Sequence, residues 1–158
     1  MSRNAPVARI RRMTPADLDR VIEIAASLSQ APHWPREVYM AALGAELAPR
    51  RIALVVEDAA SGVVAGFAVA WLTPPEAELE TIAVAAGFQR RGLARQLFQA
   101  LAGALRQERV SVTLLEVRAS NTQAQALYRA LGFEVAGRRP RYYADPVEDA
   151  VLMCLALM

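Results

Sequence analysis

The chain is poor in the side chains that build covalent or metal scaffolds: 158 residues contain one cysteine, Cys154, and one histidine, His33. A single cysteine excludes an internal disulfide and a cysteine-built zinc site, and it suits a reducing cytoplasm. Cys154 lies in the apolar run 151–155, where cysteine serves as a small core residue rather than a nucleophile. His33 stands between Pro32 and Trp34 with no second histidine or carboxylate at ligand spacing, so no metal is expected. No apolar run approaches the length of a membrane span, and residues 1–6 lack the apolar region of a secretory leader. The expectation is therefore a cytoplasmic protein with no membrane partner. Net charge is also scarce, at +2 despite a pI near 9.1. The arginines gather instead at Arg9-Arg11-Arg12, Arg90-Arg91-Arg95 and Arg138-Arg139-Arg141. Small clusters suit a phosphate-bearing ligand better than a duplex, which needs a continuous basic face, so no direct nucleic-acid binding is expected.

What is present is apolar: 54% of residues are hydrophobic and 22% charged, which is enough for a real core. With no repeat, linker or low-complexity tract, residues 1–158 read as one domain. A first strand is expected over 7–11. Thr14-Pro15-Ala16-Asp17 then supplies a capping-box start for a helix with Leu18, Val21, Ile22, Ala25 and Leu28 as its apolar stripe. A second helix begins at Pro35, with Val38, Tyr39, Ala42 and Leu43 on one face, and ends before Pro49. Residues 51–57 and 63–71 read as a hairpin, followed by a Thr73-Pro74-Pro75 break and a strand through Val84. A helix carrying Leu93, Leu97, Leu101 and Leu105 precedes a strand over 110–117 and a short helix over 121–131 closed by Gly132. Strands over 133–137 and 150–157 finish the chain, separated by a polar loop with Tyr142, Tyr143 and Pro146. The order β-α-α-β-β-β-α-β-α-β-β predicts a mixed α/β fold, a mostly antiparallel central sheet with helices on both faces. The strands before and after the long helix are parallel neighbours, joined right-handedly.

Between the strand ending at Val84 and the long helix lies Gln89-Arg90-Arg91-Gly92-Leu93-Ala94. A basic, glycine-containing turn opening a helix presents unpaired backbone N–H groups and the positive end of the macrodipole, the arrangement that binds a diphosphate. Arg95 adds to the charge, and Gly92 lets a ligand approach the backbone.

Four later residues carry two readings each. Glu116 ends an apolar strand, either exposed at its edge or in a partly dry pocket, where a carboxylate gains the proton affinity of a general base. Glu78 and Glu80 alternate with Leu79 and Thr81, the pattern of a solvated strand face, although Glu80 is close enough to the turn to act through a water. Tyr128 has core spacing in its helix, yet a tyrosine that reaches a cleft can donate a proton. Asn121 is first of all a helix N-cap and can also meet a ligand across the strand end.

In this order the residues resemble the GCN5-related N-acetyltransferases (GNAT). Gln89 to Ala94 fits their Q/R-x-x-G-x-G/A motif, with Ala94 in place of the second glycine; Thr81 to Val84 precede it, and Asn121, Ala126-Leu127-Tyr128 and Leu131-Gly132-Phe133 follow. Leu115 to Asn121, Arg139-x-x-Tyr142-Tyr143 and Glu148-Asp149-Ala150-x-x-Met153 narrow the likeness to the bacterial ribosomal-protein-alanine N-acetyltransferases, the RimI type.

The resemblance implies the GNAT fold and direct acetyl transfer from acetyl-CoA to a primary amine, without metal. The leading acceptor would be the N-terminal alanine of protein eighteen of the small ribosomal subunit, so the partners would be acetyl-CoA and a ribosomal N-terminal peptide. By the same resemblance Glu116 would accept the amine proton and Tyr128 would return one to the CoA thiolate. Ile82, Ala83 and Val84 would face pantetheine and the acetyl carbonyl. Gln89, Arg90, Arg91, Gly92, Leu93, Ala94 and Arg95 would cradle the pyrophosphate, and Asn121 would contact the cofactor. Two other readings stand beside this one: a small-molecule amine or amino-acid acetyltransferase on the same fold, and a non-catalytic acetyl-CoA-binding regulatory module.

Overall fold

The structure, a computed structural model, describes residues 8–29, 31–44 and 50–157. Val7 and Pro49, where the expected first strand and second helix were bounded, lie outside the described residues. Strands β1 (Arg9–Arg12), β2 (Arg51–Glu57), β3 (Val64–Thr73), β4 (Glu76–Val84), β5 (Val112–Arg118), β6 (Glu134–Tyr143) and β7 (Glu148–Ala156) form one sheet in the order β1-β2-β3-β4-β5-β7-β6. Every described pairing is antiparallel except β4 with β5, which the helix between them forces to be parallel.

Two helices cover each face. In β2, Ile52, Leu54 and Val56 point to one face and Ala53 and Val55 to the other, and all five are buried. The first face is packed by α3 (Leu93–Gln107), through Leu93, Leu97, Phe98, Leu101, Ala102 and Leu105, and by Ala124 of α4 (Thr122–Ala130). The second is packed by α1 (Leu18–Ser27) and α2 (Arg36–Ala42), around Phe67 and the fully buried Tyr39. No described helix is long and apolar enough to cross a membrane.

The capping box forms at the predicted place, with the Thr14 amide donating to Asp17 at 2.8 Å, but it opens a 3-10 turn, Pro15–Asp17, before α1 begins. The expected stripe is buried at Leu18, Val21, Ala25 and Leu28, with Ile24, three residues after Val21, in place of Ile22, which is only half-buried. On α2 the buried residues are Tyr39 and Ala42, while Val38 is exposed.

Two irregularities shape the centre. The β3–β4 register shifts between Val69↔Thr81 and Ala70↔Leu79, leaving Glu80 as the extra residue of a bulge. Pairing of β4 with β5 stops at Glu78↔Leu114, so the last six residues of β4, 79–84, have no described partner in β5. The sheet therefore opens between its two central strands. At the open end β3 crosses at Gly66, where a Cβ would sit 2.6 Å from the Ala83 carbonyl oxygen, so only glycine fits.

The last hairpin differs most from expectation. The strand read as 133–137 runs from Glu134 to Tyr143, so Tyr142 and Tyr143 belong to β6 and not to a loop. Its pairing with β7 is interrupted between Arg139 and Tyr143.

Candidate active site

The turn ahead of α3 is built to leave amides free. Arg90 and Gly92 both adopt left-handed conformations, with φ of 65° and 78°. For Gly92 this is easy; for Arg90 it is a local strain of about 1 kcal/mol or more. Gln89 secures the turn by donating from Nε2 to the Val84 carbonyl at 2.9 Å. Arg91 folds back over the Phe88 ring, donates to the Gly87 carbonyl at 3.3 Å and faces Asp58 at 3.7 Å. The first helical hydrogen bond runs from the Gln96 amide to the Gly92 carbonyl. Among the described residues no protein acceptor meets the amides of residues 90–95. Successive unpaired N–H groups at a helix start form an anion-binding concavity.

A cleft of about 310 Å³ extends from this turn. The β4 end (Ile82, Ala83, Val84), the turn and first helical residues (Gln89, Arg90, Gly92, Leu93, Ala94, Arg95) and the α4 face (Gln123, Ala124, Leu127, Leu131) line it. Its chemistry suits a thioester of CoA: free amides and guanidinium groups at the mouth, apolar walls within, and an unpaired strand edge along β4. Of the expected cofactor residues, Arg91 and Asn121 stand outside the lining. Arg91 is engaged with Gly87 and Asp58, and Asn121 caps α4 by accepting from the Ala124 amide at 3.1 Å. Arg95 lines the cleft and also donates to the Ala130 carbonyl at 2.7 Å, joining the start of α3 to the end of α4. None of Arg138, Arg139 and Arg141 lines the cleft; Arg138 faces Asp149 and Arg139 lies over Tyr142.

Glu116 sits on β5 between the buried Leu115 and Val117, so its side chain emerges on the face opposite α3 and α4. Around it are Glu78, Tyr142 and Tyr143. The Tyr142 hydroxyl is raised above its ordinary value by hydrogen bonding to Glu116 and then by burial. Glu78 holds its proton more tightly than a free glutamate, first through burial and then through repulsion from Glu80 and Glu116. Glu80 is not the solvated residue expected. Arg51 grips both its oxygens, at 2.7 and 3.3 Å, and itself lies over the Trp71 ring, so Glu80 is a charge already paired.

Tyr128 occupies the last turn of α4, edge-on to Phe133, which is in turn edge-on to Phe98 of α3. Burial, with a smaller contribution from Tyr143, pushes its phenol up to about 12. Neither Glu116 nor Tyr128 lines this cleft. Tyr143 lies near enough to both to register: it adds to the rise of Tyr128 and is itself raised, first by burial and then by Glu116.

Sequence reasoning read Glu78 as solvated and Tyr143 as a loop residue, and it did not single out the buried Gln125, whose Nε2 donates to the carbonyls of Arg118 and Ala119. The only signal was the Arg139-x-x-Tyr142-Tyr143 stretch, because the contacts of Tyr143 come from strands distant in sequence.

Known proteins share this fold. Residues 18–133 match the acetyltransferase (GNAT) family. The chain is 36% identical over 157 residues to the N-alpha-acetyltransferase RimI of Mycobacterium tuberculosis, covering 97% of this chain and 95% of that protein. It is 43% identical over 99 residues to the ribosomal protein bS18-alanine N-acetyltransferase of Escherichia coli, covering 61% and 67%. The crystal structure of the ribosomal-protein-S18-alanine N-acetyltransferase from Escherichia coli superposes with a TM-score of 0.79 at 33% identity, covering 96% of this chain and 94% of that one. Family match, full-length relatives and the opened sheet agree, and this chain belongs to the GNAT family of N-acetyltransferases.

Proposed function

We propose that this chain transfers the acetyl group of acetyl-CoA to the N-terminal alanine of ribosomal protein bS18. The observation that carries the chemistry is the parting of β4 from β5 beyond Glu78↔Leu114, above a turn of free amides. The names of the relatives support the acceptor.

In this reading the amides of residues 90–95, with Arg90 and Arg95, hold the diphosphate, and Ala124, Leu127 and Leu131 wall the pantetheine arm. The open edge of β4 at Ile82–Ala83–Val84 offers N–H groups to the acetyl carbonyl and to the oxyanion formed from it. Glu116 takes the proton from the acceptor ammonium, directly or through a water, so that a neutral amine attacks the thioester carbon. Tyr128, protonated throughout the physiological range, gives a proton to the departing thiolate as the C–S bond breaks, and the proton that the new amide nitrogen sheds restores the phenol, directly or through a water. Transfer is direct, and Cys154, half-buried on β7 opposite Leu114, has no part in it.

The test is acetyl transfer to an Ala-start peptide of bS18 beside a panel of polyamines and amino acids, with the acetyl group located by mass spectrometry. Acetylation of the peptide α-amine is expected. Activity on the small amines alone would move the acceptor to that class, and acetyl-CoA binding with no transfer to either would make the protein a binding module.

A further inference from the structure

The strand that carries Glu116 ends two residues later at Arg118, on the same face. The Arg118 guanidinium is a hub. One amino group donates to the Pro146 carbonyl at 3.1 Å and to the Glu148 carboxylate at 3.2 Å, and the other donates to the Ala144 carbonyl at 3.2 Å. Its plane covers the Tyr143 ring, 4.4 Å from the centroid. Glu148, mostly shielded from solvent, also accepts from the Ser120 amide. One side chain thus grips the β6–β7 tip at Tyr143, Ala144, Pro146 and Glu148. The main chain of the same residue is tied the other way: its carbonyl accepts from the Asn121 amide at 2.9 Å and from the buried Gln125 at 3.1 Å, at the start of α4.

What the tip carries gives the grip its meaning. Between Arg139 and Tyr143, β6 bulges away from its register with β7, and Arg141 in this stretch has φ of 52°. A bulge re-aims side chains, and here Tyr142 and Tyr143 pack edge-on to one another at 5.0 Å, with Tyr143 under the Arg118 guanidinium and Tyr142 near enough to Glu116 to feel its charge. A bulged hairpin at the edge of a sheet has no neighbour on its far side to hold it. Arg118 supplies the hold from β5, with the planar fork that lysine lacks.

We propose that Arg118 is a positioning residue of the acetyl-transfer site, fixing the β6–β7 tip with Tyr142 and Tyr143 as a preformed wall over the Glu116 face where an acceptor chain lies. The wall acts on an acceptor with residues beyond its amine and matters little to a lone amine. It stands away from the donor cleft, whose lining includes neither Arg118 nor any residue of the tip. This inference rests on the reading of the Glu116 face as the acceptor side.

Arg118→Gln, Arg118→Lys and Glu148→Gln are compared with wild type for acetyl-CoA Kd, and for kcat and KM with an Ala-start bS18 peptide and with alaninamide. In Arg118→Gln the peptide KM rises about tenfold, the effect expected for losing one partly exposed ion pair and one cation–π contact. The alaninamide KM moves by less than about twofold, acetyl-CoA Kd is unchanged, and Arg118→Lys falls between. Equal losses for peptide and alaninamide, or an unchanged peptide KM in folded Arg118→Gln, would overturn the proposal. Should Arg118→Gln fail to fold, Glu148→Gln removes one arm of the grip and is read by the same two KM values. Glu116→Gln is run beside them. Wild-type turnover there sinks the assignment of the face, whereas slowed turnover with an unmoved Arg118→Gln peptide KM sinks only the role of Arg118.

Discussion

At the scale of single residues, the phenol of Tyr128, pushed up to about 12, stays protonated wherever an amine can be acetylated, whereas an ordinary tyrosine begins to ionise near pH 10. A proton donor must hold its proton at working pH, which Tyr128 does, although the same rise makes it a weaker acid. Tyr128→Phe should therefore lower kcat by about tenfold to a hundredfold while acetyl-CoA Kd stays put, and steady-state kinetics with a binding titration would check it. Wild-type turnover in the variant would return Tyr128 to its place in the Phe98–Phe133 ring stack and to nothing more. Glu116→Gln should lower kcat by about a hundredfold or more and change the pH–rate profile, because the amide cannot take the ammonium proton. An unchanged profile would move the base elsewhere, and Glu78 is next in line, since Glu80 is already held by Arg51. These roles were legible only in part. Glu116 and Tyr128 stand in local motifs, but the neighbours that perturb them, Tyr142 and Tyr143, arrive through pairing of β5, β7 and β6.

At the scale of elements, the turn before α3 is a backbone device, so its test is a backbone substitution. A Cβ at Gly92 would meet no atom closer than Gln96 Nε2 at 3.9 Å, so the protein has room for it. The obstacles are φ of 78°, which a β-branched residue resists, and the loss of close approach by a ligand. Gly92→Val should weaken acetyl-CoA binding by about tenfold or more in a folded protein, measurable by calorimetry, and intact affinity would remove the turn from the donor site. The start of α1 is a second device: Arg11 forks onto Asp17 at 2.8 and 2.9 Å and reaches Glu57 at 2.7 Å, joining β1, β2 and the capping box. The hydrogen bond from Arg11 holds Asp17 below its ordinary carboxylate value against the opposing effect of burial. A depressed folded value stabilises above the unfolded value of about 3.9 and is lost as pH falls through the folded one. Asp17→Asn should then cost about 2 kcal/mol in urea melts at pH 7 and progressively less below about pH 4; a constant difference would show that the charge is not the cause. Element order, the parallel β4–β5 junction and the capping box could all be read from hydrophobic period and turn residues. Strand β6 could not, because Gly137, Pro140 and three arginines look like loop, and only an edge position beside β7 makes them a strand. The opening between β4 and β5 was equally hidden, since it follows from a bulge at Glu80 and from where pairing stops.

At the scale of the whole molecule, the proposed reading puts the two substrates on opposite sides of the sheet. The cleft assigned to the donor lies on the side of α3 and α4, Glu116 emerges on the other, and the sheet opens between β4 and β5. In that reading acceptor and donor are bound together without displacing one another, and direct transfer requires that they are. The chain also lacks obvious groups on which an acetyl could pause: all eighteen of its Lys+Arg positions are arginine, and its one cysteine lies on β7. A guanidinium stays charged and does not take an acyl group as an amine would. A sequential mechanism follows. Initial-velocity lines at several fixed peptide concentrations should intersect, and CoA should compete with acetyl-CoA but not with peptide. Enzyme incubated with acetyl-CoA alone should show no hydroxylamine-labile acetyl group in its intact mass. Parallel lines together with such an adduct would mean that the acetyl group crosses on the protein itself, and the two-sided arrangement would then need a nucleophile at the seam.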